Sequence, residues 1–272
     1  MKTSEWLRAG GKKFKLADVP TSGSLDIKGK KISREEAEAI TAENIEKLQE
    51  LQFLMYAEHK QKLLVVLQAM DTGGKDGAIR KVFGALNPQG VRIHSFKRPT
   101  PTELAHDFLW RAHQHTPPSG HIQIFNRSHY EDVLVVRVHD IVPKSKWKAR
   151  YDHIRNFEKL LTDEGTTILK FMLHISKDEQ KERLQARLDD KTRLWKFEKG
   201  DLVERRYWDD YQSAYEDAIR ETSTENAPWY VIPSDRKWYR NYAMSTLIRH
   251  TLENLNMQFP PPEDGLEGIV VE

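Results

Sequence analysis

The hydrophobic positions along the chain change period several times, and each change marks an element. Residues 1–32 are polar and basic, broken by Gly10, Gly11, Pro20 and Gly23, and read as an arm or irregular extension. Ser33 followed by Glu36 has the form of a capping box. Ile40, Ile45, Leu48, Leu51 and Met55 then recur at mostly helical spacing, which predicts a long helix reaching about residue 60. Leu63, Leu64, Val65, Val66 and Leu67 form a continuous apolar run, the pattern of a strand buried on both faces. Further strands are predicted at 91–96, 121–125, 166–175 and 229–232. Helices are expected at 78–86, 99–115, 151–161, 178–188, 211–222 and 237–255, with Ser176 as a cap for the fourth of these.

Short apolar strands that alternate with helices imply an α/β fold: a three-layer α/β/α domain around a five-stranded parallel sheet. The expected organisation is an arm and long helix over 1–60, a core over 61–259, and an acidic tail without period over 260–272. Within the core, residues 189–211 are highly charged and carry Trp195, Phe197, Tyr207 and Trp208, as a helical lid would. Ligands of such sheets bind beyond the carboxyl ends of the strands. Candidate chemistry is therefore sought just after Leu67, Phe96, Phe125 and Ile175.

After Leu67 the chain reads Ala69-Met70-Asp71-Thr72-Gly73-Gly74-Lys75-Asp76-Gly77. A strand, a glycine-rich turn with a lysine, and then a helix is the setting of a phosphate-binding loop. Gly73, Gly74 and Gly77 allow backbone N–H groups to approach phosphate oxygens, the helix N-terminus adds positive potential, and Lys75 neutralises charge. The usual motif fails at two places. Ala69 replaces the first glycine, and Asp76 replaces the magnesium-binding hydroxyl, so Asp71 is the candidate to hold magnesium instead. Lys97 and Arg98 end the second strand and suit a second phosphate group. The third strand ends at Asn126-Arg127-Ser128-His129-Tyr130-Glu131-Asp132, where a phosphate-loop protein usually carries a metal-binding acid. Asn126 is neutral there, which makes Glu131 the candidate acid. Beyond the fourth strand, Arg183 and Arg187 share a helix face that leads into the lid.

Composition narrows the function. The 272 residues hold 43 Lys and Arg against 41 Asp and Glu, a net charge of +2, which excludes a uniformly basic nucleic-acid binder. Cysteine is absent, which removes disulfides, thiolate metal sites and a cysteine nucleophile. The basic residues Lys2, Arg8, Lys12, Lys13 and Lys15 precede no apolar leader region, and no apolar run approaches the ~20 residues that span a bilayer. A cytoplasmic enzyme with no membrane partner is expected. His106, His113 and His115 do not share a helix face, and no metal site is expected of them.

The near-zero sum hides segregation. Between residues 75 and 98 the cations are Lys75, Arg80, Lys81, Arg92, Lys97 and Arg98, and Asp76 is the sole acid. Arg127, Arg137, Lys144, Lys146, Lys148 and Arg150 follow the third strand. That many cations near one sheet edge fit a longer polyanion than a nucleotide. A nucleic acid would demand the same charge, but the basic stretches lack an interleaved aromatic platform. An ATP-dependent nucleoside monophosphate kinase and a non-catalytic polyanion-binding module remain the alternatives.

Together these segments resemble the family-2 polyphosphate kinases. The resemblance spans about residues 26–260 and rests on the loop at 69–77, Phe96-Lys97-Arg98-Pro99, the segment 125–132, Leu194-Trp195-Lys196-Phe197-Glu198, the run 204–211, Thr222-Ser223-Thr224 and Ala227-Pro228-Trp229. It implies a thymidylate-kinase-like phosphate-loop fold with a lid. The implied activity is Mg²⁺-dependent phosphoryl transfer between inorganic polyphosphate and AMP, ADP or ATP. It further implies Asp71 as a magnesium ligand, Lys75 as the loop lysine, and Arg127 and Arg187 as braces for the transferring group. Asn126 with Glu131 is similar to the class III subgroup, which accepts both AMP and ADP, and this moves the second metal-binding acid to Glu131. Polyphosphate is expected along Lys75, Arg80, Lys81, Lys144 and Lys146, and the nucleotide near Lys97, Arg98, Asn126 and Arg193. A homo-oligomer is expected.

Overall fold

The computed structural model describes residues 5–271, so Lys2 lies outside the described residues. The chain opens with a two-residue strand, β1 (Arg8–Ala9), in the segment expected to be irregular. The helix α1 (Arg34–Glu58) starts with both hydrogen bonds of the capping box between Ser33 and Glu36. It ends at His59, whose left-handed backbone stops the helix. Next come β2 (Lys62–Ala69), α2 (Lys75–Phe83) and β3 (Val91–Ser95).

Residues 99–115 do not form the single helix expected from their pattern. Thr100 and Glu103 make a capping box for one turn, α3 (Pro101–Leu104). The Asp107 carboxylate then accepts from the N–H groups of Leu109 and Trp110, which starts a second turn, α4 (Trp110–His113). The histidines in this stretch go separate ways: His106 stacks on Trp110, His115 on His94, and His113 lies against Phe157.

The strand β4 (His121–Asn126) leads through a 3-10 turn at His129–Asp132 to the short α5 (Val135–Val138). The helix α6 (Lys144–Asp163) begins seven residues before its apolar pattern, because Pro143 starts it and its first turn is cationic. Then follow β5 (Thr166–His174), α7 (Lys177–Asp189) capped by Ser176, α8 (Lys199–Glu204) in the lid region, α9 (Trp208–Thr222), β6 (Trp229–Pro233) and α10 (Lys237–Glu253).

The strand order is β1-β6-β5-β2-β4-β3. All five expected strands are present and mutually parallel, while β1 adds an antiparallel edge that pairs Arg8 with Tyr230. Alternation along β2 divides the core. Leu63, Val65 and Leu67 pack with α1, α2 and α10, and Leu64 and Val66 pack with α6 and α9. The arm is tied into this core by Trp6 and Leu16, both buried. After β2 the chain turns towards β3, whereas after β4 it crosses to β5. The strand ends of β2 and β4 therefore flank the point where the winding reverses, where α/β sheets bind ligands.

Candidate active site

The loop between β2 and α2 is a tight turn closed by the Gly73 N–H on the Met70 carbonyl at 2.9 Å. Thr72 and Gly74 both take left-handed backbone, with φ of 62° and 96°. That conformation suits Gly74 and is strained at Thr72, and such strain concentrates at functional turns. The Lys75 side chain folds back over the loop, and its Nζ donates to the Ala69 carbonyl at 3.2 Å. Burial, and then the neighbouring Arg127 guanidinium, pushes the Lys75 ammonium down to about 8.

Arg127 follows β4 and also has left-handed backbone, φ 62°. Its N–H donates to the Leu67 carbonyl, which stitches the ends of β2 and β4 together. The same turn aims its guanidinium at the phosphate loop. Nη2 lies 2.8 Å from Asp71 Oδ1, and Nη1 lies 3.5 Å from Glu131 Oε2. Glu131 and then Asp71 hold Arg127 firmly protonated, although burial opposes the charge. The expected group of Asp71, Lys75, Arg127 and Glu131 is thus brought together around the N-terminus of α2. Asn126 joins it from β4, donating to Asp76 Oδ1 at 2.9 Å. Asp132, next to Glu131, takes a different role: it is mostly buried, with Arg111 at 3.4 Å and Arg150 at 3.3 Å.

The segment carrying Arg127 and Glu131 rests on a buried polar cluster. The Tyr130 hydroxyl donates to Glu158 at 2.7 Å and accepts from Lys170 Nζ at 2.9 Å. Lys170, fully buried on β5, also donates to Glu158 at 2.5 Å and to the Thr222 carbonyl at 2.8 Å. Trp229 Nε1 donates to the Thr222 hydroxyl at 2.9 Å. Ser128, also fully buried, receives Gln68 Nε2 and the Tyr130 N–H, each at 3.1 Å.

Other expected residues sit apart from this group. Arg187 is engaged by the lid: it donates to the Lys196 carbonyl at 3.2 Å and lies 3.6 Å from Asp201 Oδ2. Arg193 is exposed and paired with Asp190 at 2.9 Å. Lys97 and Arg98 are exposed beyond β3, and the Lys97 carbonyl accepts from Arg111 at 2.9 Å. Arg80 and Lys81 lie exposed in the last turn of α2, and Lys144 and Lys146 in the first turn of α6. Lys81 and Lys146 face different spaces. Lys81 lines a cleft of about 630 Å³ with Arg34 and Lys237, and Lys146 lines one of about 580 Å³ with Pro99, Phe108 and Arg150.

Arg183 and two residues absent from the sequence reading, Gln180 and Arg240, hold the loop from behind. Gln180 donates to the Asp71 carbonyl at 3.0 Å, Arg183 to the Thr72 carbonyl at 3.0 Å, and Arg240 to the Gly74 carbonyl at 3.1 Å. Arg183 was legible only as a face partner of Arg187. Nothing local marks Gln180 or Arg240, because their target is far away in sequence. The segment expected to be a lid reaches the same place: Arg205 donates to the Lys177 carbonyl and to Gln180 at 2.7 and 2.8 Å, and Glu204 accepts from Tyr211 at 2.8 Å.

Comparison with known proteins places this arrangement. The family model described as Polyphosphate kinase 2 (PPK2) matches residues 31–260. An AMP/ADP-polyphosphate phosphotransferase from Meiothermus ruber is 58% identical over 260 residues, 96% of each chain. An ADP-polyphosphate phosphotransferase from Rhodopseudomonas palustris is 44% identical over 272 residues, covering 96% of this chain and 93% of the relative. The crystal structure of Polyphosphate Kinase 2 from Arthrobacter aurescens TC1 superposes with a TM-score of 0.92 at 44% identity, covering 97% of this chain and 93% of that one.

Proposed function

The chain belongs to the polyphosphate kinase 2 family, and on that premise we propose that it transfers the terminal phosphoryl group of inorganic polyphosphate to AMP and ADP, reversibly, giving ADP and ATP. Supporting this reading are the substrates named for the relatives from Meiothermus ruber and Rhodopseudomonas palustris. The observation that carries it is the convergence of Lys75 and Arg127 with Asp71 and Glu131 at the N-terminus of α2. No nucleic-acid or membrane partner is part of the reading; among the described residues no helix is long and apolar enough to cross a membrane. A homo-oligomer in the cytoplasm is part of it.

Phosphoryl transfer asks for positioning and charge neutralisation rather than covalent help. The loop N–H groups and Lys75 bind the terminal phosphates of polyphosphate. A phosphate oxygen of AMP or ADP attacks the terminal phosphorus in line. The bond from that phosphorus to the bridging oxygen breaks, and polyphosphate one unit shorter leaves as an anion. The attacking oxygen is already anionic, so no general base is required. Arg127 stands on the β4 side of the loop and braces the equatorial oxygens, where charge is greatest in the transition state. Arg187 joins it when the lid moves and its guanidinium exchanges Asp201 for phosphate.

Asp71 and Glu131 fit a magnesium site. They are hard oxygen donors that converge on one guanidinium, and magnesium commonly takes one or two carboxylates together with substrate phosphates. When bound, the ion would offset the negative charge gathered on the reacting phosphates. Lys144, Lys146 and Lys148 crowd the N-terminus of α6 with no acid in its first turn, which repels cations and invites an anion. That favours a polyphosphate or nucleotide phosphate there. The neighbouring cleft, lined by Leu104, Phe108, Leu109 and Val142, suits a nucleobase close to Lys97 and Arg98.

The test is donor substitution. Protein, Mg²⁺ and AMP or ADP are incubated with either polyphosphate or ATP as donor. New nucleoside diphosphate or triphosphate from polyphosphate supports the reading. Transfer from ATP alone would replace it with a nucleoside monophosphate kinase.

A further inference from the structure

Arg240, in the first turn of α10, is 3% exposed. Its guanidinium donates to the Gly74 carbonyl at 3.1 Å and, through Nε and Nη2, to Asn241 Oδ1 at 3.1 and 2.8 Å. Among the described residues no carboxylate pairs with it. A like charge acts on it: burial, and then Arg183, pushes Arg240 down to about 10. Arg183 does have an acid, Glu179 at 2.7 Å. A buried cation without a counter-ion is costly.

Its position adds a second cost. Arg240 lies against the start of α2: a Cβ at Gly74 would sit 2.3 Å from Nη1, and one at Gly77 would sit 3.5 Å from Nη2. A cation at a helix N-terminus opposes the helix dipole. Both costs are reversed by one event, an anion arriving on the loop. The loop is also shaped for it. Gln180 and Arg183 hold the carbonyls of Asp71 and Thr72 towards α7, and Arg240 joins the Ala78 N–H on the Gly74 carbonyl. Carbonyl dipoles turned away leave the loop N–H groups for the ligand.

We infer that Arg240 is a positioning residue whose missing counter-ion is the phosphate chain held on the other side of the loop, so that it trades stability of the free protein for affinity towards polyphosphate. This rests on the reading of the loop as a polyphosphate site. Arg240 touches no reacting atom. It acts through the Gly74 peptide and through its charge, so it governs binding more than turnover.

The experiment compares wild type with Arg240→Met and Arg240→Lys, using tripolyphosphate without nucleotide as the binding probe. Arg240→Met is expected to melt at or above the wild-type temperature when free, and to lose most of the melting-temperature rise caused by tripolyphosphate. Its KM for polyphosphate is expected to rise about tenfold or more, the size of one lost charge-assisted contact, while kcat changes little. Arg240→Lys keeps the charge and is expected to recover part of the affinity. Three results would overturn the inference: an unchanged KM in Arg240→Met, a free variant that is destabilised yet keeps the full tripolyphosphate response, or a loss confined to kcat. If Arg240→Met does not fold, Arg240→Lys decides alone, and wild-type affinity together with wild-type stability in it counts against the inference. Failure of the reaction reading is distinguishable: a wild type that makes no ATP, yet gains from tripolyphosphate a stability that Arg240→Met lacks, leaves this inference standing.

Discussion

Lys170→Met removes the ammonium that the core of the site is built on. In the native protein this group satisfies Glu158, the Tyr130 hydroxyl and the Thr222 carbonyl at once, at 2.5–2.9 Å. Burial opposes the charge of Glu158, yet Lys170 holds its carboxyl below the usual range, so in the variant a carboxylate 2% exposed loses its ammonium partner and keeps only Tyr130 and the His129 ring beside it. Breaking one side of a buried pair costs about 3–5 kcal/mol. In a chain of this size that is a fall in Tm of about 6–20 °C. Because Tyr130 precedes Glu131 and follows Arg127 by three positions, the loss also loosens the segment that aims both at Asp71. The assay is thermal unfolding paired with ATP formation from ADP and polyphosphate below the variant's Tm. Turnover is expected to fall along with stability. Lys170→Met combined with Glu158→Leu is expected to regain more than half of the lost stability, since no buried charge is then orphaned. A single variant within about 1 kcal/mol of wild type would refute the claim that this cluster supports the site.

Three further outcomes follow from the site. Lys75→Ala and Asp71→Asn are each expected to lower turnover at least about a hundredfold, as does loss of one preorganised charge contact; near-wild-type rates in steady-state assays would remove these roles. Glu131→Asn is expected to weaken use of AMP more than use of ADP, and an unchanged ratio of the two kcat/KM values would count against the subgroup assignment. The affinity of the metal-free protein for tripolyphosphate is expected to fall as pH rises through about 8, where free Lys75 loses its proton, because the ligand favours the ammonium; calorimetric titrations at pH 7 and pH 9 with equal affinity would contradict this.

The parts of the molecule that local chemistry dictates could be read from the chain. The Ser33–Glu36 box marked the start of α1, and the apolar run at 63–67 marked the central strand. The glycines and lysine of the loop, and Glu131 after β4, were identified by residue type at a strand end, while the role of Arg127 came from the family resemblance. What escaped depends on distance. β1 is two residues long, too short for a period to show, and exists because β6 offers an edge. Arg240 donates to Gly74 across 166 positions, so no window contains both. The stretch 99–115 carried one helical pattern, but the Asp107 carboxylate took two N–H groups and restarted the helix. The cationic first turn of α6 disguised a helix that begins before its apolar face does.

The charge segregation also sharpens in three dimensions. Lys81 and Lys146 were expected on one track, and they line separate clefts on opposite layers of the sheet. Arg187, expected at the transferring phosphoryl group, and Arg193, expected at the nucleotide, are held by Asp201 and Asp190. In the proposed reaction, use of Arg187 on phosphate requires that this segment move, so the proposal includes a conformational step.

The central claim is that this loop takes a phosphoryl group from polyphosphate and delivers it to an adenine nucleotide. Phosphorus NMR of the protein with Mg²⁺, ADP and polyphosphate tests it most directly, because donor loss and product gain are read in one sample. The account predicts that ATP γ-phosphate signal appears with a matching loss of internal polyphosphate phosphates, and that Lys75→Ala slows both at least about a hundredfold. Release of free orthophosphate without ATP, or ATP formation at a near-wild-type rate in Lys75→Ala, would contradict it.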